Sequence, residues 1–444
     1  MKFIFALFFL FNLLSVSAFF HHSPIKKVIP TKKPTNNIIN KINGFYGIIG
    51  PDIRKHQVSS LFDLFIGNGF IQGVFFDKGN ITYVNHRIET EKLPYEINDR
   101  SHSLFSLLLF QCLHFMGLLP NGLGVANTAL LQIDNHVYAM FERDQPYLIR
   151  MDFFSKNIHT VKKMRFPHLP SIYFSGHTKY IKNKIKTIHY NVPKREISYY
   201  SLGSDFRLLY KTNIKTKYLP IIHDFLLLQD SFLVTESPIL FDFGKLLSGK
   251  LPITFYKDRK TTIHLSALDG TRVFEYDKGF YIFHYADYRE TDESIEIYAS
   301  LYDDLDFSAI SIKGNYRKIV LDKQTRTVSI EKNDALEEYN LDFPIKIGNL
   351  VVLRNIHNNL SMNGFIICEG LDIVNTLLFS DMCICGEPAL TYVEGKPYLL
   401  SFAYNETSNY ILLIDPVKMT VEKIEIDTNG NSLIMGFHSI FINK

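Results

Sequence analysis

From about Gly44 to its C-terminus the chain is written in one recurring unit: a short apolar-aromatic run, a tight turn, and a second run. "GVFFDKGNITYVNH", "TALLQIDNHVYAMFE", "FLLLQDSFLVTESPILFD" and "GKPYLLSFAYNETSNYILLIDP" all have this form, with turn pairs at Lys78-Gly79, Asp134-Asn135 and Gly395-Lys396. Such strand–turn–strand units predict an all-β fold. No clear linker interrupts residues 42–444, so these units are expected to form one domain. Many four-stranded units in series suggest a β-propeller, with blades of roughly 40–50 residues; a pair of β-sandwiches satisfies the same periodicity. At 46% hydrophobic content the chain can bury a large core. Its 37 Phe and 25 Tyr suit strand and core packing, and could also line a pocket for a long apolar ligand.

One segment departs from the pattern. Residues 101–124, "SHSLFSLLLFQCLHFMGLLPNGLG", lack charge and stop at Pro120 and Gly122. They predict a single apolar helix, too interrupted to span a membrane. The N-terminus differs again. Lys2, the apolar run Phe3–Leu14 and Val16-Ser17-Ala18 make residues 1–18 a signal peptide. Residues 19–41 are basic and free of acid, and no carboxylate appears before Asp52. A signal peptide followed by such a leader resembles the two-part plastid targeting signals of algae with secondary plastids; plain secretion with a linker is the alternative. The net charge of +3 is scattered, so no nucleic-acid footprint is expected. Cys112, Cys368, Cys383 and Cys385 are too few for a disulfide scaffold and too closely paired for a zinc knuckle, and are read as mostly buried free thiols. Asn80, Asn359 and Asn405 begin glycosylation sequons.

Four of the 16 histidines sit at or near the ends of apolar runs: His177 ("SGHTKY"), His223 ("PIIHDF"), His284 ("YIFHYADYRE") and His438 ("MGFHSIFI"). Their separations of 46, 61 and 154 residues correspond to one, one and three blades. In a propeller the innermost strand of each blade borders the central channel, so one histidine per blade can converge on the axis, even from the last strand.

At this point the chain resembles a known family. "GVANTALLQIDNHVYAMFERDQPYLIRMD", "HDFLLLQDSFLVTESPILFD", "FHYADYRETDE", "GEPALTYVEGKPYLLSFAY" and "GFHSIFI" resemble, in order, motifs of the carotenoid cleavage oxygenases. Upstream, "GFYGIIGPD" and "LFDLFIGNGFIQGVFFDKGNITYVNHRIETEK" are similar to that family's opening strands, so the likeness runs from Ile42 to the C-terminus. The resemblance implies a seven-bladed propeller capped by a helical dome, with the apolar helix at about 101–120 in that dome. It further implies Fe(II) on the axis, held by His177, His223, His284 and His438. Glu142, Asp342 (in "NLDFP") and Glu387 match the acidic residues that orient those ligands.

Four departures from the family pattern stand out. Asp342 replaces a Glu, so its carboxylate is expected to reach its histidine poorly or through water. Asp287 replaces an Asn, Ser439 a Gly, and Thr178 a Pro. His189, twelve residues after His177, competes with it for the first ligand position. The implied activity is oxidative cleavage of a C=C bond in a carotenoid or apocarotenoid by O₂, giving two carbonyl products, with peripheral contact to the membrane that holds the substrate. Retinoid isomerohydrolase or stilbene-cleaving action on the same fold, or an inactive propeller that binds an apolar ligand, are the competing expectations. No Gly-x-Ser-x-Gly or Walker pattern supports a hydrolase or P-loop reading.

Overall fold

The computed structural model describes residues 38–444 apart from 54–57, 59, 94–123, 143, 167–168, 170–171, 248–250 and 357–361. The expected targeting segments and the apolar helix at 101–120 lie outside the described residues. Among those described, no helix is long and apolar enough to cross a membrane.

Antiparallel sheets form seven blades around an axis. Blade II comprises Ala129–Ile133, His136–Met140, Tyr147–Asp152 and Asn157–Lys163; blade III comprises Lys179–Ile181, Lys184–Asn191, Glu196–Gly203 and Leu208–Lys215. Blade IV is built from Leu226–Leu227, Ser231–Glu236, Thr261–Ala267 and Gly270–Tyr276. Blade V runs through Tyr281–Glu290, Ser294–Tyr302, Asn315–Asp322 and Val328–Glu331, and blade VI through Leu341–Ile347, Leu350–Ile356, Met362–Glu369 and Asp372–Leu378. In blade VII the edge is split into Cys383–Ile384 and Ala389–Val393, both pairing with Lys396–Tyr404, followed by Asn409–Asp415 and Thr420–Ile426. Blade I joins the two ends of the chain. Its strands Gly44–Pro51, Gly69–Asp77 and Asn80–Arg87 are completed by His438–Asn443, which pairs with the first strand from Gly44↔Asn443 to Ile49↔His438. Closure of this kind removes the exposed sheet edge that a linear array would leave.

The hairpins follow from turn chemistry. Lys78-Gly79 turns between Asp77 and Asn80, with φ of 51° and 84°, and Asp134 turns blade II with φ 50°. The third turn sits one residue earlier than the Gly-Lys pair suggests, at Glu394-Gly395 between Val393 and Lys396. Left-handed backbone is cheapest at Gly, which two of these three turns carry, while Asp134 takes the left-handed position in blade II.

Between every pair of adjacent blades lies a separate apolar core. Aromatic rings bridge several of them. Tyr46 of blade I meets Phe402 of blade VII at 4.9 Å, and Tyr199 of blade III stacks on Phe232 of blade IV at 3.9 Å. Much of the Phe and Tyr content is therefore inter-blade packing. Cys368 and Cys385 are buried free thiols, while Cys383 is half-buried.

Candidate metal centre

Each blade brings one chemically distinctive residue to the axis. His438 comes from blade I, Glu142 from blade II, His177 from the approach to blade III and His223 from the approach to blade IV. His284 comes from blade V, Asp342 from blade VI and Glu387 from the split edge of blade VII. The 61-residue step from His223 to His284 holds one blade plus an inserted hairpin, Ile239–Phe241 with Ile253–Phe255.

Local structure aims each ring. The His177 backbone N–H donates to Ser175 Oγ at 3.0 Å, and Thr178 Oγ1 donates to Ser175 O at 2.8 Å. A proline at 178 could not supply that hydroxyl, so Thr178 ties the turn by a side chain. Beside His223, Asp224 accepts from Lys179 Nζ at 2.6 Å and from the Tyr285 N–H at 3.2 Å, joining blades III, IV and V. His284 lies where the register of strand Tyr281–Glu290 shifts, and such a bulge re-aims a side chain. The Ser439 backbone N–H donates to Glu387 at 3.1 Å, as a glycine's would, while the added Oγ is buried without a partner. Asp287 accepts a charged bond from Lys346 and so links blade V to blade VI.

The four imidazoles turn Nε2 atoms inward. His177 Nε2 and His223 Nε2 are 3.0 Å apart, His284 Nε2 and His438 Nε2 3.2 Å, and one ligand atom from each ring falls within 4.8 Å of the others. Nitrogens about 2.1 Å from a shared ion at right angles lie about 3 Å apart, so the spacing fits a metal. The ring of His177 contacts all three others at 4.5–4.9 Å, and His284 contacts both His223 and His438. All four rings thus crowd around one small volume on the axis. The four nitrogens of His177, His223, His284 and His438 could therefore hold one ion. Neutral imidazole suits Fe(II) and related ions.

Outer nitrogens meet carboxylates. His284 Nδ1 lies 2.8 Å from Asp342 Oδ1, His438 Nδ1 3.2 Å from Glu387 Oε2, and His223 Nδ1 2.8 Å from Glu142 Oε1, although that last contact is not aligned as a hydrogen bond. Such contacts fix the tautomer that leaves Nε2 free for a metal. Asp342 is therefore not too short: it touches its histidine directly, correcting the expectation of a poor or water-mediated contact. The register of its strand shifts between Asp342 and Ile345, Phe343 takes a left-handed φ of 57°, and the carboxylate is carried toward the axis. Tyr302 donates to the other oxygen of Asp342 at 2.5 Å. His189 lies on the second strand of blade III with its ring 5.1 Å from Tyr173, outside the four-histidine group.

Electrostatics keep the rings ready for a cation. Burial, then the neighbouring rings of His223, His438 and His284, hold His177 well below the ordinary imidazole range, so it stays neutral. Burial also lowers His284, with Asp342 opposing. For His223 burial pulls down, but Glu142 outweighs it and the net direction is up. Burial raises Asp342 and Glu142, yet the histidines beside them win and both carboxyls fall below the usual range.

A cavity of about 400 Å³ opens beside this centre, lined by His223, His284 and His438 and by apolar side chains such as Leu64, Phe283 and Phe307. Sequence motifs gave no hint of Tyr302 or of Arg354 on its wall. Thr128, which donates to Glu142 at 3.1 Å, lies inside the quoted "GVANTALL" stretch but was not singled out.

A closed seven-bladed propeller with four inward histidines that could hold a metal ion defines the class of this protein. A profile of the retinal pigment epithelial membrane protein family matches residues 37–355. The chain belongs to that family, the carotenoid cleavage oxygenases. It is 22% identical to the carotenoid 9,10(9',10')-cleavage dioxygenase 1 of Phaseolus vulgaris over 95% of this chain and 88% of that protein. Its likeness to the carotenoid 9,10(9',10')-cleavage dioxygenase of Crocus sativus is 22%, covering 91% of this chain and 84% of the other. Among solved structures, a lignostilbene dioxygenase from Pseudomonas brassicacearum superposes with a TM-score of 0.71 at 14% identity, covering 95% of this chain and 94% of that one. The cobalt-substituted Synechocystis apocarotenoid oxygenase gives 0.68 at 15% identity, with 95% of both chains covered. At these identities the structural likeness speaks for the fold alone.

Proposed function

We propose that this protein is an Fe(II)-dependent dioxygenase that cleaves a conjugated C=C bond of a carotenoid or apocarotenoid with O₂, giving two carbonyl products. The observation that carries the reading is the four-histidine, three-carboxylate centre opening onto a mostly apolar cavity. His177, His223, His284 and His438 would hold the ion, and Glu142, Asp342 and Glu387 would orient three of those rings. When bound, iron would supply the redox chemistry for O₂. The residues of the chain do the rest. Neutral rings keep the ion's charge undiluted, aromatic and aliphatic walls exclude water and align the polyene, and no side chain has to act as a general acid or base.

The substrate class implies that the cavity is loaded from a bilayer, so peripheral membrane contact belongs to the same proposal, as does delivery to a plastid by residues 1–41. The test is expression in a bacterial host that accumulates carotenoids, beside His438→Ala, with products read by mass spectrometry. Apocarotenals from the parent alone support the reading, and fragment masses give the bond. Two soluble proteins with no product from either would sink it.

A further inference from the structure

Arg354, on strand Leu350–Ile356 of blade VI, lines the cavity and is 2% exposed. Its guanidinium carbon lies 3.5 Å from the ring centre of Phe343, which packs in turn on His284 at 4.6 Å and His438 at 5.1 Å. A single aromatic ring therefore separates this cation from the metal centre. A guanidinium carries five N–H donors and no acceptor. Here Nη1 makes one long bond, to Gly436 O at 3.5 Å, and Nε has no partner. No carboxylate among the described residues forms an ion pair with Arg354. By contrast, buried Lys163 sits 2.7 Å from Asp144, and half-buried Arg317 is gripped by both Asp303 and Glu337.

Leaving a buried charge without hydrogen-bonding partners is costly, so an acceptor is expected from outside the chain. Asp342 and Glu387 are close enough to stabilise the positive charge electrostatically; burial lowers the group to about 10, so it stays charged at neutral pH. The cavity is otherwise mostly apolar, and the acceptor must arrive on an apolar body. We infer that Arg354 anchors the oxygen-bearing end of the ligand, and that the preferred ligand is a polyene ending in a carboxylate or carbonyl rather than a hydrocarbon. This rests on the reading of the cavity as a polyene site.

The experiment is binding to the full chain, followed through the absorbance of the polyene, with all-trans-retinoic acid as the acid probe and the hydrocarbon of the same skeleton as the neutral one. The parent should bind the acid about 10–100-fold more tightly, the range expected of a charge-assisted hydrogen bond. Arg354→Met should erase that preference by weakening the acid alone and leaving hydrocarbon binding and iron content unchanged. Arg354→Gln, which retains a polar tip, provides a second variant should the first not fold. Equal affinity of the parent for both probes overturns the anchor, as does a preference that survives in a folded variant. If the parent binds neither probe, the polyene reading itself fails; if it binds the hydrocarbon without preferring the acid, only the anchor does.

Discussion

Glu142 reaches His223 from two blades away, across blade III, whereas Asp342 reaches His284 from the neighbouring blade. The first contact is half open, with side chains 15% and 14% exposed, and its 2.8 Å approach is not aligned as a hydrogen bond. The second is closed, at 2% and 5%, aligned, and backed by Tyr302 on the far carboxylate oxygen. Thr128 supports Glu142 less tightly, at 3.1 Å. Blade distance alone does not set side-chain length, since Glu387 of blade VII reaches His438 of the neighbouring blade I with a Glu; what differs is the approach that the local backbone supplies. The long reach uses Glu; the short one uses Asp, and a bulge with a left-handed Phe343 supplies the remaining approach. A bulky residue in that conformation persists only where its surroundings hold it, and here the Phe343 ring is held between Arg354 and the rings of His284 and His438.

The largest effects should come from removing a ring from either arm. His223→Ala and His284→Ala are each expected to lose stoichiometric iron by metal analysis and to abolish product, while His189→Ala retains both. Iron lost from His189→Ala would move the first ligand position. Next come the carboxylates. Asp342→Asn and Glu142→Gln should lower iron affinity by about 10–100-fold, with Asp342→Asn at the upper end because its contact is buried and aligned. Equal losses in a competition with a chelator would erase the distinction between the arms.

Smaller effects test the supports. Tyr302→Phe removes a charge-assisted bond and should speed iron release several-fold, and Thr128→Val should do less. The reverse order would show that the open arm is the better supported one. Off the axis the effect on activity should vanish and only stability should respond. His86, buried in blade I against Thr160, is pushed down to about 4 by burial and by His159. The unfolded chain takes up that proton near 6.5 and the folded one only near 4, so His86 favours the fold above pH 6.5 and this support is lost as pH falls toward 4, by about 3 kcal/mol. A His86→Gln melting curve should therefore lose less of its midpoint between those pH values than the parent, with cleavage at neutral pH unchanged.

Much of this was legible in the chain. Turn dipeptides and apolar runs marked the hairpins, and the steps of one, one and three blades from His177 to His438 match their places at blades III, IV, V and I. Glu142 and Glu387 were legible only through motif likeness, because a carboxylate at a strand end has no local signature of its role. The choice between His177 and His189 was not settled by spacing. It follows from radial position: His177 precedes the innermost strand of blade III, and His189 lies on the next strand out. Tyr302 and Arg354 left no trace, since each acts on a residue of another strand or on an empty volume.

What the sequence by itself determined is the inventory: all-β units of blade length and four histidines at the ends of apolar runs, spaced by whole blades. These are short-range facts, set by turn chemistry and by which residues alternate between apolar and polar. Only the tertiary structure decided how the donors meet. The convergence of four histidine nitrogens, the direct contact of Asp342 and the unpaired Nε of Arg354 all depend on the rotation accumulated around seven blades and on one register shift in blade VI. No local window of sequence contains those sums, because each is fixed by packing between residues far apart in the chain.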